Sequence, residues 1–214
     1  YRERGFLPEA ICNYLALLGW SPGDDRENVT MKELTELFTV ERVHSSPARF
    51  DMKKLEAING DKIRELTLDE LLKRTTPFLI KDGVITGTSE ELEVVKSALP
   101  IIQERIATLA EVSQMLKFLF VSKFEVDAEE LPKIKDEQAQ AVLKKSNDVL
   151  QKLENWDHES IHVALKSALI EELGLKPRVA FGAVRIAVTG SHISPPLFES
   201  MELLGRTRSL ERIA

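Results

Sequence analysis

GFLPEAICNYLALLGWSPGDD, Gly5 to Asp25, decides how the rest of the chain is read. Pro8 suits the first turn of a helix, where its missing N–H has no partner to lose, and Gly19 suits the left-handed position just past the last turn. The two bracket a helix of about three turns. Ala10, Ile11, Tyr14, Leu15, Leu17 and Leu18 make an apolar surface too broad for a solvated helix, so other elements must cover it. Cys12 falls inside this surface and reads as a core residue.

Working outward, helix starts recur. Thr30 with Glu33, Thr67 with Glu70, Thr88 with Glu91 and Thr108 with Glu111 fit the capping box, in which the hydroxyl satisfies a first-turn N–H and the carboxylate reaches back to the cap. Apolar residues follow each at spacings of three and four, for example Leu92, Val95 and Leu99, so the chain reads as mainly α-helical with many short helices. Asp51 caps a helix expected to run through Ile58 and stop at Gly60; an amphipathic helix follows over Asp136 to Leu153, and Asp157 caps one ending at Gly174. The segment VAFGAVRIAVTG, Val179 to Gly190, has strand-like β-branched residues and helix-compatible small ones, and helix is preferred because no partner strand is evident. Boundaries are expected near Leu66 and Lys123, dividing the chain into 1–66, 67–122 and 123–214.

With 214 residues, 43% of them hydrophobic, the chain can build real cores. A single cysteine rules out a disulfide framework, and no run of 18 apolar residues or charged-then-apolar leader occurs, which fits the cytosol. The net charge of −6 argues against nucleic-acid binding if taken as a mean. Its distribution is uneven: Phe124 to Leu173 holds six Lys/Arg against twelve Asp/Glu, whereas Gly174 to the end holds six (Lys176, Arg178, Arg185, Arg206, Arg208, Arg212) against three. A basic end beside an acidic middle is the pattern of a localised polyanion contact, although charge runs are commonly just solvated faces.

The only sharp catalytic pattern is His158-Glu159-Ser160-Ile161-His162, which fits H-E-x-x-H, two imidazoles on one helix face for zinc with a glutamate base. It falls in the first turn after Asp157, and only Glu171, Glu172 and His192 offer a third ligand, so polar-face histidines are the preferred reading and no metal site is assigned. A zinc protease stays open as an alternative, as does a helical protein-interaction module. Phosphate loops, G-x-S-x-G elbows and Cys/His nucleophile pairs are absent from the sequence.

Four blocks resemble bacterial glutamyl-tRNA synthetases, which are class I aminoacyl-tRNA synthetases: GFLPEAICNYLALLGW; ERVHSSPARFDMKKLEAINGDKIREL; the helix pair around RIATLAEV; and FGAVRIAVTGSHISPPLFESMELLGRTRSLERI. Together they span essentially the whole chain. The resemblance implies a stem-contact helical domain over 1–66, starting just after the catalytic half, followed by a two-part α-helical anticodon-binding domain over 67–122 and 123–214. The HIGH and Lys-Met-Ser-Lys-Ser elements that hold ATP are missing, so this stretch should be inactive alone and need no cofactor, while the full enzyme uses ATP and Mg. The implied partner is tRNA(Glu), with neither DNA nor membrane, and the implied state is a cytoplasmic monomer.

The resemblance also implies site residues. Lys54 and Arg64 suit the phosphates of the tRNA stem. Arg105 aligns with the arginine that reads the third anticodon base, where two parallel guanidinium donors can discriminate a base edge. Arg185 aligns with the arginine facing the first anticodon base, and a lone cation among Val184, Ile186, Ala187 and Val188 must reach water or an anion. Ser194, Pro195 and Leu197 match the loop that contacts the splayed middle base, with a second proline, Pro196, where glycine is commoner.

Overall fold

The computed structural model describes residues 1–44 and 49–214. The serine-proline part of the second block, residues 45–48, lies outside the described residues. The described residues form helices and turns without a strand and fall into two compact units, Tyr1–Ser113 and Gln114–Ala214. No helix among them is long and apolar enough to cross a membrane.

In the first unit α1 (Pro8–Leu17) packs chiefly on α3 (Met52–Arg64) and also on α2 (Met31–Leu37), and α4 (Leu68–Lys81) pairs with α5 (Ser89–Gln103). Pro8 opens α1 as expected. The end of α1 differs: Gly19 is not left-handed, because the Gly19 and Trp20 N–H groups both turn back onto Ala16 O, leaving Gly19 O to accept from His44 N–H at 2.7 Å. The buried face of α1 is also narrower than its sequence suggests, made of Ala10, Asn13 and Tyr14; Leu15 is 53% exposed, and Cys12 is a surface thiol rather than a core residue.

Two of the four capping boxes are complete, at Thr30/Glu33 and Thr88/Glu91. At Thr67 the hydroxyl accepts from Glu70 N–H, but the Glu70 carboxylate turns to Arg74 instead. At Thr108 the carboxylate half forms, Glu111 accepting from the Thr108 N–H and hydroxyl, while α6 (Glu111–Phe120) starts two residues later than the box implies.

The largest departure is in α3, which does not stop at Gly60 but continues to Arg64. Buried Asn59 turns its amide away from local capping: Oδ1 accepts from Leu7 N–H at 2.7 Å and Nδ2 donates to Ala107 O at 2.5 Å. A Cβ on Gly60 would lie 3.7 Å from Ala107 Cα and 3.3 Å from the Arg64 guanidinium, so glycine leaves room for a crossing chain rather than ending a helix. Gln103 Nε2 then donates to Ile63 O and Leu66 O at 2.9 Å, satisfying carbonyls at the true end of α3. Beside this junction Gly5 is left-handed, φ +82°, and passes its carbonyl to Leu109 N–H at 3.0 Å.

In the second unit α7 (Leu131–Lys135) leads into α8 (Glu137–Leu150), which packs on α9 (His158–Lys166), α10 (Pro177–Thr189) and α12 (Arg206–Ile213); α11 (Leu197–Leu204) lies on α9 and α12. Asp136 and Asp157 cap α8 and α9. After α9 the helix widens into a π-turn, Ser167–Glu171, placing Ala168 and Leu169 in the core. The ambiguous VAFGAVRIAVTG segment is helical, with Ala180, Ala183, Val184, Ala187 and Val188 buried.

Half of the basic end is structural. Arg206 donates to Gln151 O, Arg208 to Leu204 O and Leu119 O, and Arg212 to Val188 O and Phe118 O. The Arg212 guanidinium lies 3.9 Å from the centre of the Phe124 ring, and burial, reinforced by repulsion from Arg208, pushes its pKa down to about 10. These arginines satisfy last-turn carbonyls that would otherwise be orphaned.

Three outcomes follow from this packing. An alanine at Gly5 would put its Cβ 2.4 Å from Ala110 N as well as straining a positive φ, whereas Gly83, φ +69°, has open space around it. Urea unfolding of Gly5→Ala should lose roughly 2–4 kcal/mol, against about 1–2 kcal/mol for Gly83→Ala. Arg212→Lys cannot serve both carbonyls and should lower stability by about 1–3 kcal/mol in the same assay. Backbone N–H groups, led by that of Thr30 or Thr88, hold Glu33 and Glu91 down at about 2. Folded values below unfolded ones mean that this stabilisation is complete above about pH 4.5 and lost as pH falls toward 2. Melting temperatures of a Glu33→Gln, Glu91→Gln variant should therefore fall less between those pH values than those of the parent chain.

Candidate nucleic-acid interface

Arg185 sits on α10 beneath the turn that joins α10 to α11. Its Nη1 donates to Ser194 Oγ at 2.9 Å and to Pro195 O at 2.8 Å, so three of the expected residues meet at one point. Helix geometry explains the meeting. α10 ends at left-handed Gly190, the chain reverses through Ser191 to Pro196, and the returning turn crosses the half-buried guanidinium. Ser194, Pro195 and Leu197 are themselves buried, while His192 and Ile193 form the exposed rim of this turn. The polar edge of the guanidinium is thereby fixed, and Leu197 supports the turn from inside.

Arg185 also lines a groove of about 700 Å³ bounded by α7, the start of α8 and α10. Lys133, Arg178 and His192 share this groove, with the aliphatic and aromatic surface of Val179, Phe181 and Ile186 between them. Lysine and arginine side chains beside a partly apolar wall can hold a phosphate and an unstacked base together. The sequence reading counted Arg178 only within the basic end and His192 only as a loose zinc ligand, and it missed Lys133, which lies inside the acidic stretch where only the net sign was weighed.

In the first unit Arg105 is exposed on the turn leaving α5, and its guanidinium bonds to no described residue. Gln103 and Ala107 on either side are tied to α3, so the arginine projects from a backbone held at both flanks. Lys54 and Arg64, by contrast, face carboxylates: Lys54 Nζ lies 2.6 Å from Glu27, and Arg64 pairs with Asp61 and stands 4.0 Å from Glu104. A phosphate at either would compete with a neighbouring carboxylate.

The H-E-x-x-H imidazoles have separate tasks. His158 Nδ1 bonds to Glu202 at 2.7 Å, which raises the His158 pKa, and His162 stacks on Phe198 at 4.6 Å. Among the described residues no group of three His, Cys, Asp or Glu side chains is placed to hold a metal ion. The pattern arises from a polar helix face, with Ile161 and Leu165 inward.

Comparison with known proteins identifies the family. The family described as anticodon binding domain matches residues 70–214, and that described as tRNA synthetases class I (E and Q), catalytic domain, matches residues 1–57. A glutamate–tRNA ligase of Saccharopolyspora erythraea is 47% identical over 216 residues, taking in all of this chain and 43% of the relative. One from a Nocardioides species is 46% identical over 217 residues, covering all of this chain and 44% of its own length. A crystal structure of a glutamate tRNA ligase from Elizabethkingia meningosepticum in complex with its amino acid superposes with a TM-score of 0.79 at 25% identity, covering all of this chain and 41% of the other. The chain thus spans less than half the length of these relatives. With the helical architecture of its described residues and similarity over its whole length to glutamate–tRNA ligases, the chain belongs to the anticodon-binding-domain family of class I synthetases.

Proposed function

We propose that the chain is the tRNA-binding portion of a glutamyl-tRNA synthetase and grips tRNA(Glu) as a cytoplasmic monomer. In this reading 1–66 contacts the stem, through Lys54 and Arg64, and 67–122 and 123–214 contact the anticodon. The observation that carries it is the Arg185 guanidinium pinned by Ser194 and Pro195 in a cationic groove. A pinned guanidinium has already lost its rotamer freedom, so forming two hydrogen bonds to a base edge costs less on binding. Arg105, exposed on its anchored turn, is assigned to the third anticodon base, and Leu197 supports the turn facing the middle one. Lys54 and Arg64 must exchange Glu27 and Asp61 for phosphate, which makes their share of the affinity salt-sensitive and small. The whole protein would join glutamate to this tRNA with ATP and Mg, chemistry for which the present residues supply alignment of the RNA rather than reacting groups.

Filter binding of a glutamate tRNA transcript against an anticodon-swapped version tests the reading. The parent chain should prefer the glutamate anticodon. Arg185→Ala should weaken cognate binding by roughly 5- to 150-fold, matching about 1–3 kcal/mol for one base contact, and shrink the preference. Arg105→Gln should relax discrimination at the third base alone. Equal binding of both transcripts by the parent chain would refute the assignment.

A further inference from the structure

The groove beside Arg185 holds more positive charge than a base edge requires, and the way that charge is held identifies its ligand. Glu130 is buried, its side chain 5% exposed, yet both carboxylate oxygens are occupied: Oε2 accepts from Lys133 Nζ at 2.9 Å and Oε1 bonds to His192 Nδ1. The first of these bonds, supported by the second, keeps the Glu130 carboxyl below the usual carboxylate range. Lys133 and His192 themselves remain 54% and 60% exposed. One sunken carboxylate therefore fixes two solvent-facing nitrogen groups at the groove wall, one from α7 and one from the turn after α10. Glu130 itself does not line the groove; the carboxylate that does, Asp136, accepts the Ala139 N–H through Oδ1 as the cap of α8. Arg178, in the first turn of α10, is exposed and bonds to no described residue. The groove thus presents Lys133, Arg178 and Arg185 against the single exposed carboxylate of Asp136, a net positive face.

We infer that Lys133 and Arg178 form a phosphate subsite that holds the RNA backbone next to the base facing Arg185, with Glu130 as the residue that positions Lys133 and, beside it, His192. This inference rests on the proposed reading of the groove as an anticodon site and adds its backbone contact. A held ammonium and an exposed guanidinium suit a phosphodiester, which accepts from several directions. Contacts of this kind position the strand without reading its sequence, so they should appear in the salt dependence and not in the anticodon preference.

The test is filter binding of the glutamate tRNA transcript between 50 and 200 mM salt, on the order of the range where backbone contacts dominate. For Lys133→Ala, Arg178→Ala the slope of log K against log salt should flatten by about 0.7 to 1.4, at about 0.7 per lost phosphate contact on a single strand, because Glu130 competes with phosphate for Lys133. The ratio of cognate to anticodon-swapped affinity should stay at the parent value. The charge-conserving pair Lys133→Arg, Arg178→Lys should keep the parent slope. An unchanged slope in the alanine pair overturns the subsite, as does an equal flattening in the charge-conserving pair. A parent chain that fails to bind tRNA at all would instead sink the reading beneath it. Both side chains are exposed, so far-ultraviolet circular dichroism should match the parent.

Discussion

The first unit depends on a crossing of chains at Asn59, where a buried side-chain amide bonds to the backbone of Leu7 on one side and Ala107 on the other. Buried polar groups are tolerated only when paired, so these contacts must form together or the amide becomes a liability of about 1–3 kcal/mol per unpaired group. Gly5 and Gly60 leave the space that lets the strands of this crossing approach. From it follow the start of α1, the unbroken course of α3 and the placement of the turn carrying Arg105. The joint places Arg105, proposed for the third anticodon base, two residues from a structural anchor, a short lever for error.

The cations of this chain divide by what they face. Arg206, Arg208 and Arg212 serve backbone carbonyls, and Arg212 is buried enough to stack on Phe124. Lys54 and Arg64 serve carboxylates. Lys133, Arg178 and Arg185 face a groove. A net charge of −6 is compatible with polyanion binding under this division, because a local field at a groove within a Debye length of about 8–10 Å outweighs charge farther away. The count of basic residues near the C-terminus overstated the surface charge, while the acidic middle concealed Lys133.

Much of the architecture was legible because helix starts are written locally. Thr30, Thr88, Asp51, Asp136 and Asp157 each cap the helix their sequence context announces. Helix ends were harder, since whether Asn-Gly stops a helix depends on partners distant in sequence, and Asn59 found Leu7 and Ala107. Gly19 and Cys12 were misread for a related reason: local pattern gave them a turn and a core, but the packing of α1 on α3 selected a different face. At the candidate site, Arg185 stood out as a charge among apolar neighbours, and the resemblance supplied Ser194, Pro195 and Leu197. The link between Glu130 and His192 joins residues 62 apart and leaves no periodic signal.

Photocrosslinking with 4-thiouridine placed singly in the anticodon loop of the glutamate tRNA, followed by peptide mapping, measures most directly whether the groove beside Arg185 is where the anticodon lies. Crosslinks should concentrate in the peptides carrying residues 178–185 and 192–198, with a second set around Arg105. Crosslinks confined to the α12 face, or spread evenly over the chain, would contradict the account.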